Sequence, residues 1–322
     1  TTLWSSYFSS SASAITSILC MEFNKTKDKL YFGGLTTGLS SNNISTSGVF
    51  DNSHNGGNDF FVCRMDVNQN FELATYLGGS ASEDNMMGLN TDENNDVYIF
   101  GYTPSTNFPI TTDALQATNR GGQTRGSDKT FTKLSADLSS VLYSTYFGGA
   151  SDDYDPVGER GIKFSNCRIY TVVTSTSNDI PLTQNAVTTN KISGNSVYEP
   201  SLVVWANPPD LIGNLIVPSQ NICYGELPEN LKGTIPSYVL PTIIRNGVTE
   251  SYPNLPTGVT YQWQKSIDSS NWVNIIGGTN QNLEGSLIGP ITQTTWIRRI
   301  INGDGCIISG PADQIIVLKV FS

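Results

Sequence analysis

Histidine, basic residues and long apolar runs are scarce in this sequence, and each scarcity excludes a class of function. The 322 residues include one histidine, His54, so a metal site built on several histidines is excluded. Lysine and arginine total 18 against 28 aspartates and glutamates, a net charge of -10. Because a nucleic-acid backbone requires a basic stripe, nucleic acid is excluded as a partner, and an anionic lipid surface is disfavoured for the same reason. No apolar run reaches the roughly 18 residues that a membrane-spanning helix requires, so direct membrane insertion is not expected.

Charged residues are few overall, at 14% of the chain, whereas threonine, serine, asparagine and glycine are abundant. This composition is typical of β-rich exported proteins. A chain of this length predicts two domains, each able to bury its own core. The sequence begins at Thr1 without a methionine or a signal peptide, so we interpret it as a processed chain or as a fragment.

Cysteine is sparse and its count of five is odd, which excludes a disulfide scaffold but permits one bridge. Cys223 and Cys306 are the pair placed for it, and such a link contributes about 4 to 5 kcal/mol in the chain-entropy model. The alternative is that both thiols are free. The remaining three lie in strands of different repeats and are predicted to be small core residues: Cys20, Cys63 and Cys167.

One strand-like sequence motif occurs twice, as LATYLGG and as LYSTYFGG, and LWSSYF near the start resembles both. Their tyrosines, Tyr7, Tyr76 and Tyr146, fall at nearly equal spacings, which indicates an internal repeat. Around each tyrosine, four short alternating runs form two hairpins with polar turns. Four antiparallel strands per repeat is the content of one propeller blade. A long loop between the hairpins, such as residues 104–128, makes the repeat longer than the roughly 40 to 50 residues of common propeller repeats.

The segments STYFGGASDDY, NDVYIFGYTPSTNFPITTDALQ and FTKLSADLSSVLYSTYFGG resemble the SBBP-type β-propeller repeat of bacterial surface proteins. The resemblance covers roughly residues 3–210 and is clearest in the middle repeat. The first repeat departs from it with Ser9 and Ser10 in place of Gly-Gly, and the third carries Val173 in place of the glycine of GYT.

Three repeats are fewer than the 4 to 8 blades of typical closed propellers. LWSSYF begins where a blade should end, and residues 199–211 stop before a fourth strand of their own. Because an open arc leaves edge strands unpaired, we predict a partial propeller of three visible blades with further blades upstream. In the alternative, the first strand pairs with the last blade and closes the ring.

The repeat motifs do not recur after NPPDL. We therefore predict a propeller region at residues 1–212 and an immunoglobulin-like β-sandwich at residues 213–322. About seven short strands in about a hundred residues fit such a sandwich, and Trp263 is its predicted core ring. ICYGELPENLKG, YQWQKSIDSSNW and GCIIS resemble the Ig-like or PKD-like modules of surface proteins of gliding bacteria. The predicted fold is therefore all-β throughout.

Acidic residues follow the Gly-Gly of successive repeats, at Glu83 and Asp84 and again at Asp152 and Asp153. Recurring carboxylates at a propeller's central opening could hold Ca²⁺, which prefers oxygen ligands. In the other interpretation they accept hydrogen bonds from backbone N–H groups at the strand entrance. No cofactor other than this Ca²⁺ is predicted.

Other candidate residues have structural interpretations beside functional ones. His54 lies in a turn-rich loop, where an exposed side chain is favoured over a member of a catalytic triad, because no nucleophile signature accompanies it. DENND, at residues 92–96, resembles half of a calcium loop but favours a hairpin turn. Tyr102 and Phe108 could form a sugar platform, although their apolar area favours burial beneath their own loop.

We therefore predict a non-enzymatic, extracellular cell-surface segment, an adhesin or stalk that binds protein or glycan through propeller loops. The resemblance implies a gliding-type bacterium and type IX export, although the end IIVLKVFS carries no recognisable sorting domain. Further modules of the same polypeptide are expected on both sides. The alternatives are a structural spacer or secretion cargo, and a glycan-active enzyme that uses carboxylates such as Asp152 and Asp153.

Overall fold

The computed structural model describes most of the chain. Its described residues are 5–8, 14–37, 44–82, 85–121, 126–153, 161–165, 168–183, 186, 191, 197–206, 211–212, 216–217, 219–234, 237–238, 243–245, 248–250, 260–303, 306–309 and 316–321.

These residues form an all-β fold, which confirms the predicted class. One short helix, α1 (Gly285–Ile288), occurs among them. In chain order, the strands are β1 (Thr16–Phe23), β2 (Lys29–Thr36), β3 (Asp59–Asp66), β4 (Phe71–Leu77), β5 (Asn85–Thr91), β6 (Val97–Thr103), β7 (Asp128–Leu134), β8 (Val141–Phe147), β9 (Ile162–Ser165), β10 (Arg168–Ser175), β11 (Leu182–Thr183), β12 (Glu199–Ala206), β13 (Leu211–Ile212), β14 (Ile216–Val217), β15 (Gln220–Cys223), β16 (Lys232–Gly233), β17 (Ser237–Tyr238), β18 (Ile243–Arg245), β19 (Val248–Glu250), β20 (Thr260–Ser266), β21 (Val273–Asn274), β22 (Thr295–Gly303), β23 (Cys306–Ser309) and β24 (Ile316–Phe321).

The first two repeats each fold into a four-stranded antiparallel sheet with strands in sequence order. Blade 1 is β1-β2-β3-β4 and blade 2 is β5-β6-β7-β8. Each blade has two irregularities of register, one in the first strand and one where the third strand pairs with the fourth, and they fall at equivalent places in the two blades. They lie between Ile18 and Cys20, Arg64 and Met65, Met86 and Gly88, and Lys133 and Leu134. The repeat seen in the sequence is therefore also a repeat of backbone geometry.

The third repeat forms blade 3, a three-stranded sheet in the order β12-β10-β9. Its described residues include no fourth strand, as the sequence predicted. Near the start of the sequence, residues 5–8 of LWSSYF are not in a strand and Tyr7 is fully exposed, so the described part of this copy does not form the predicted strand; Leu3 and Trp4 lie outside the described residues. The equivalent strands β4 and β8 pair with β3 and β7, and residues 5–8 have no such neighbour among the described strands. The alternative of ring closure by this segment is also not observed there.

Neighbouring blades pack face to face, as propeller blades do. The inner strand β5 contacts β1 on one side and β9 on the other. Between blades 1 and 2 the side chains form one apolar core, whose fully buried members include Phe60, Val62, Leu77, Met86, Val97, Leu134, Leu138 and Tyr146. Between blades 2 and 3, Trp205 stacks on Phe131 with ring centroids 4.5 Å apart. Each sheet thus buries one apolar face against the next blade.

Glycine allows the inner strands to approach closely. A Cβ on Gly88 would lie 2.5 Å from Cγ2 of Ile162 in the next blade. No side chain fits at that distance without displacing one strand, so the residue type at this position sets the spacing of blades 2 and 3.

The long loop of each repeat lies along the outer edge strand of its own blade. In blade 1, Thr46 N–H donates to Ala74 O and Tyr76 N–H donates to Asp51 O. In blade 2, Thr111 N–H donates to Ser144 O and Tyr146 N–H donates to Gln116 O. The loops therefore satisfy backbone groups of β4 and β8 that an open edge would leave unpaired, which explains the length of the repeat.

Two compact units divide the chain: unit 1 comprises residues 1–205 with 241–254, and unit 2 comprises 206–240 with 255–322. The hairpin β18–β19 lies within residues 241–254, and β18 pairs with β11 of unit 1. The sequence-based division at residue 212 assigns this hairpin to the second domain, because the hairpin contains none of the repeat motifs.

Unit 2 contains one main sheet in the order β15-β24-β22-β20-β21, with β23 also paired to β22. Two short ladders, β13–β17 and β14–β16, accompany it. Trp263 is fully buried at the centre of the core and donates its indole N–H to Asn280 O, which confirms its predicted place. The two-sheet form of the immunoglobulin-like sandwich stays a prediction.

The register of unit 2 does not bring Cys223 and Cys306 together. Cys223 pairs with Phe321 on β24, whereas Cys306 pairs with Gly303 at the opposite end of β22. At about 3.3 Å per residue the two lie on the order of 30 Å apart along the strands, far beyond the roughly 7 Å that a disulfide spans between Cα atoms. Cys223 is an exposed free thiol, and the side chain of Cys306 lies outside the described residues. The bridge is therefore a prediction that this strand pairing does not support.

We predict that Gly88→Ala lowers the free energy of unfolding by about 1 to 3 kcal/mol, because its Cβ overlaps Ile162. Urea denaturation followed by circular dichroism measures the change. Gly161→Ala is the control, since its Cβ meets open space and should cost little. Adding Ile162→Ala to Gly88→Ala should recover part of the loss; if it deepens the loss additively, the two strands do not touch as described.

Candidate functional site

Two of the four acids predicted to bind calcium lie in the described residues. Asp153 is buried, and its carboxylate accepts hydrogen bonds from Gly149 N–H at 2.7 Å and from the hydroxyls of Ser175 and Ser177. Asp152 accepts one from Gly126 N–H at 2.8 Å. This is the backbone-accepting role that the sequence offered as the alternative to Ca²⁺.

Glu83 and Asp84 lie outside the described residues, so their part of the calcium prediction stays untested. Within the described part of the chain, no three residues among His, Cys, Asp and Glu come together as a metal site.

The Gly-Gly segments attach each blade to the next by a recurring pair of hydrogen bonds. At the junction of blades 1 and 2, Ser80 N–H donates to Asn107 Oδ1 and Ala81 N–H donates to Ser105 Oγ. At the junction of blades 2 and 3, the corresponding acceptors are Asp179 Oδ1 for Ala150 N–H and Ser177 Oγ for Ser151 N–H. The polar residues after the second strand of each blade therefore serve the crossover between blades.

A buried polar cluster lies at the second of these junctions; we call it the crossover cluster and define it as Gln116, Asp128, Gly148, Asp153 and Arg245. Asp128 Oδ2 accepts from Gln116 Nε2 at 2.6 Å, and Arg245 donates to Gln116 Oε1 at 3.1 Å and to Gly148 O at 2.6 Å. A Cβ on Gly148 would overlap carboxylate oxygens of both aspartates. The cluster holds the hairpin β18–β19 against blade 2 through Arg245.

The ionisation of Asp128 is strongly perturbed. Its side chain is fully buried, and Oδ1 has no hydrogen-bond partner. Burial raises the pKa of Asp128 to about 7, with the charge of Asp153 acting in the same direction and hydrogen bonds from Arg120 N–H and Gln116 opposing it. Burial also raises the pKa of Asp153. Near neutral pH the buried Asp128 carboxyl therefore retains its proton in part of the molecules.

Sequence reasoning missed Gln116, Asp128 and Arg245. A signal was present for one of them, because Asp59 and Asp128 begin the third strand of successive blades. Asp59 is likewise buried with Oδ1 unpartnered, and burial raises its pKa. No signal marked Arg245, which reaches the cluster from far along the chain.

The remaining sequence candidates are structural in the described residues. His54 Nε2 lies 3.1 Å from Thr36 O and its ring meets Tyr76 edge-on, so it is half-buried rather than fully exposed. Phe108 is buried between Phe60 and Tyr146, and Tyr102 is buried, so they form no sugar platform.

DENND forms the predicted hairpin turn. Asp92 Oδ1 accepts from the N–H groups of Asn94 and Asp96, and Asn95 adopts a positive φ of 67°. Lys133 forms ion pairs of 3.1 Å to Asp92 and 3.0 Å to Asp96 of this turn. Asp92 and Asp96 are therefore already paired with a cation of the protein.

Unit 2 carries an open groove of about 460 Å³. Exposed apolar side chains, Ile267 and Val273, lie along it beside the polar loop of Asp268. Asp268 accepts hydrogen bonds from the N–H groups of Ser270 and Asn271, and these hydrogen bonds lower its pKa. The carboxylate therefore stabilises the loop that borders the groove.

Comparison with known proteins gives one family match. The model of a domain of unknown function (DUF8696) matches residues 212–318, less than half of the chain. No curated protein matches the sequence. The SBBP-type repeat and the PKD-like module are not confirmed by these comparisons.

Among solved structures, the extracellular domain of a hybrid two-component system from B. thetaiotaomicron aligns at 9% identity, over 94% of this chain and 44% of that one. Its TM-score is 0.19, too low to carry an argument. This chain thus spans less than half the length of that structure. In the described part of the chain, no helix is both long and apolar enough to cross a membrane.

We predict that Asp128 makes the stability fall as pH rises from about 4 to about 7. In this window the unfolded chain releases the Asp128 proton while the folded chain retains it, so stability decreases by roughly 1.4 kcal/mol per pH unit. Asp128→Asn removes this part of the pH dependence. Urea denaturation between pH 4 and 8 measures it.

The control for this prediction is Asp137→Asn. Hydrogen bonds from Ser135 and Ser139 lower the pKa of Asp137 to about 2, so its own contribution is lost only as pH falls below about 4. Asp137→Asn should leave the slope between pH 4 and 7 unchanged. An Asp128→Asn slope equal to that of the natural chain would contradict the assignment.

For calcium, we expect no heat in a titration of Ca²⁺ into the chain and no change in melting temperature. The reason is that Asp153 already accepts three hydrogen bonds from its own junction. A saturable heat that Asp153→Asn abolishes would instead support the cation site.

Proposed function

We propose that the chain is a non-enzymatic, extracellular interaction segment of a bacterial surface protein, which binds protein or glycan at the loop-bearing end of its blades. The observation that carries this proposal is that hydrogen bonds hold the long loops against the edge strands of their blades. Each connects the second strand of a blade to the third, so both loops lie at the same end of blades 1 and 2. Backbone hydrogen bonds to β4 and β8 fix them.

Fixed loops suit binding because little conformational entropy remains to be lost. The loops expose polar side chains such as Asn52, Asn107 and Thr118. Amide and hydroxyl groups of this kind recognise the hydroxyls of glycans and the polar surface of proteins.

The burial of the junction acids supports a role without catalysis. Glycoside hydrolysis requires two carboxyl groups that reach the sugar. Of the two carboxylates named for such an enzyme, Asp153 is buried and hydrogen-bonded within the junction, whereas Asp152 is half-buried and accepts a hydrogen bond from Gly126 N–H.

An extracellular location is supported by composition, with few charges and abundant threonine, serine and asparagine, and by the SBBP-type resemblance of the blades. The same resemblance supports a surface protein of a gliding-type bacterium exported by the type IX route. The proposal places the segment among further modules of a longer polypeptide.

The second candidate function is a structural spacer or secretion cargo. It is favoured by the use of the loops as covers for the blade edges, since a loop can be retained for that purpose alone. A spacer binds no specific ligand, which distinguishes it from the first proposal.

A glycan array and a pull-down with the natural chain test the proposal, followed by two matched double variants. Asn52→Arg with Thr118→Arg adds two charges at the loop-bearing end and should weaken binding at least tenfold by obstructing the ligand. Asn68→Arg with Asn94→Arg adds the same charges at the opposite end and should leave affinity unchanged. If no ligand is retained, or if both pairs lose it equally, the spacer function replaces the proposal.

A further inference from the structure

The main sheet of unit 2 has one face turned away from its core. Opposed residues of neighbouring strands share a face, and Trp263, which belongs to the core, is opposed by Arg299. Because side chains alternate along a strand, Gln264 and Arg298, which oppose each other, lie on the other side. Asn274 of β21 opposes Gln264 and shares that side. We call it the outer face.

Three polar side chains form a hydrogen-bonded row across the outer face. Arg298 Nε donates to Gln264 Oε1 at 2.8 Å, and Gln264 Nε2 donates to Asn274 Oδ1 at 2.8 Å. Arginine only donates, so its contact decides which end of the Gln264 amide faces it, and that amide in turn orients Asn274. In the part of the chain that the structure describes, both Nη groups of Arg298 and Nδ2 of Asn274 are left as N–H donors without a partner.

Two tryptophans flank this row. The guanidinium of Arg298 lies over Trp272, 4.2 Å from the centre of its ring, which places Trp272 on the outer face. Trp296 precedes Arg298 by two residues on β22 and therefore lies on the same face. Both side chains are partly exposed. Flat rings beside N–H donors form a surface on which a sugar ring can stack while its oxygens accept hydrogen bonds.

Arg298 has no carboxylate partner among the described residues. Burial lowers its pKa, and no acidic neighbour opposes that effect. Asp268, in the loop after β20, accepts hydrogen bonds from its own loop instead. The neighbouring Arg299 differs, because its Nη groups donate to backbone carbonyls on the core side. In a chain of net charge -10, this unpaired and partly buried cation favours an anion from outside the protein.

We propose that the outer face of unit 2 binds an acidic polysaccharide, with the Nη groups of Arg298 holding the carboxylate of a uronic acid and a tryptophan ring carrying a neighbouring sugar. Carboxylate and ring oxygens are acceptors, which match a surface whose unpartnered groups are N–H donors. The row lies on the face of the sheet, so it offers an acidic peptide no strand edge for backbone pairing. This site is separate from the loops of the blades and does not depend on the function proposed for them.

Isothermal titration calorimetry of the full chain with a hexamer of galacturonic acid tests the proposal. The hexamer should bind saturably, and added salt should weaken the binding because Arg298 is partly exposed. The methyl ester of the same hexamer keeps the sugar rings and loses the charge. It should bind about tenfold more weakly, since a hydrogen bond to a charged group is lost.

Two variants locate the site. Asn274→Asp keeps the oxygen that accepts from Gln264 and adds a negative charge at an exposed position. It should reduce affinity about tenfold and keep the melting temperature, so that the loss does not reflect unfolding. Arg298→Gln removes the cation and should abolish binding. The control is Asn280→Asp, which adds the same charge at an exposed position beside the core-facing Trp263 and should leave affinity unchanged.

Four results would overturn the proposal. Absence of heat with the acidic hexamer excludes binding, and equal affinity for the methyl ester excludes recognition of the carboxylate. Equal losses with Asn274→Asp and Asn280→Asp would indicate general charge repulsion instead of a site. A hexamer of glutamate that binds as tightly as the sugar would show that the outer face takes acidic peptides.

Discussion

The packing of one apolar sheet face against the next is the interaction on which the rest of unit 1 depends. A single four-stranded sheet cannot bury its own apolar residues, and each blade here does so against its neighbour. The glycine at position 88, the stacked rings of Phe131 and Trp205, and the hydrogen bonds at each crossover are all consequences of bringing these faces together.

This constraint also explains the positions of the acidic residues that the sequence offered as metal-binding or catalytic candidates. A chain that passes from the outer strand of one blade to the inner strand of the next leaves backbone N–H groups in a buried place. Carboxylates and hydroxyls at the junction accept from them, and Asp153 is the clearest case. The pKa of Asp128, raised to about 7, reflects the cost of burying one more carboxyl at the junction.

The sequence predicted the strands that repeat along the chain, but it did not predict contacts between residues that are distant in sequence. The alternation of apolar and polar residues, with turn residues between the runs, predicted the strands of blades 1 and 2. The similar motifs around Tyr76 and Tyr146 predicted that these blades repeat. The strand prediction was wrong for residues 5–8 of LWSSYF, because a strand requires a neighbouring strand to pair with, and a local sequence pattern does not supply one. Arg245 and its hairpin could not be placed, because their contacts with Gln116 and Gly148 depend on tertiary structure alone.

A double-mutant cycle on Phe131 and Trp205 tests the face-to-face packing most directly, since these residues belong to different blades and are far apart in sequence. The packing predicts that the effects of Phe131→Ala and Trp205→Ala on the free energy of unfolding are not additive, with a coupling of about 0.5 to 1.5 kcal/mol. Strict additivity would show that the two sheets do not meet there and would contradict the account.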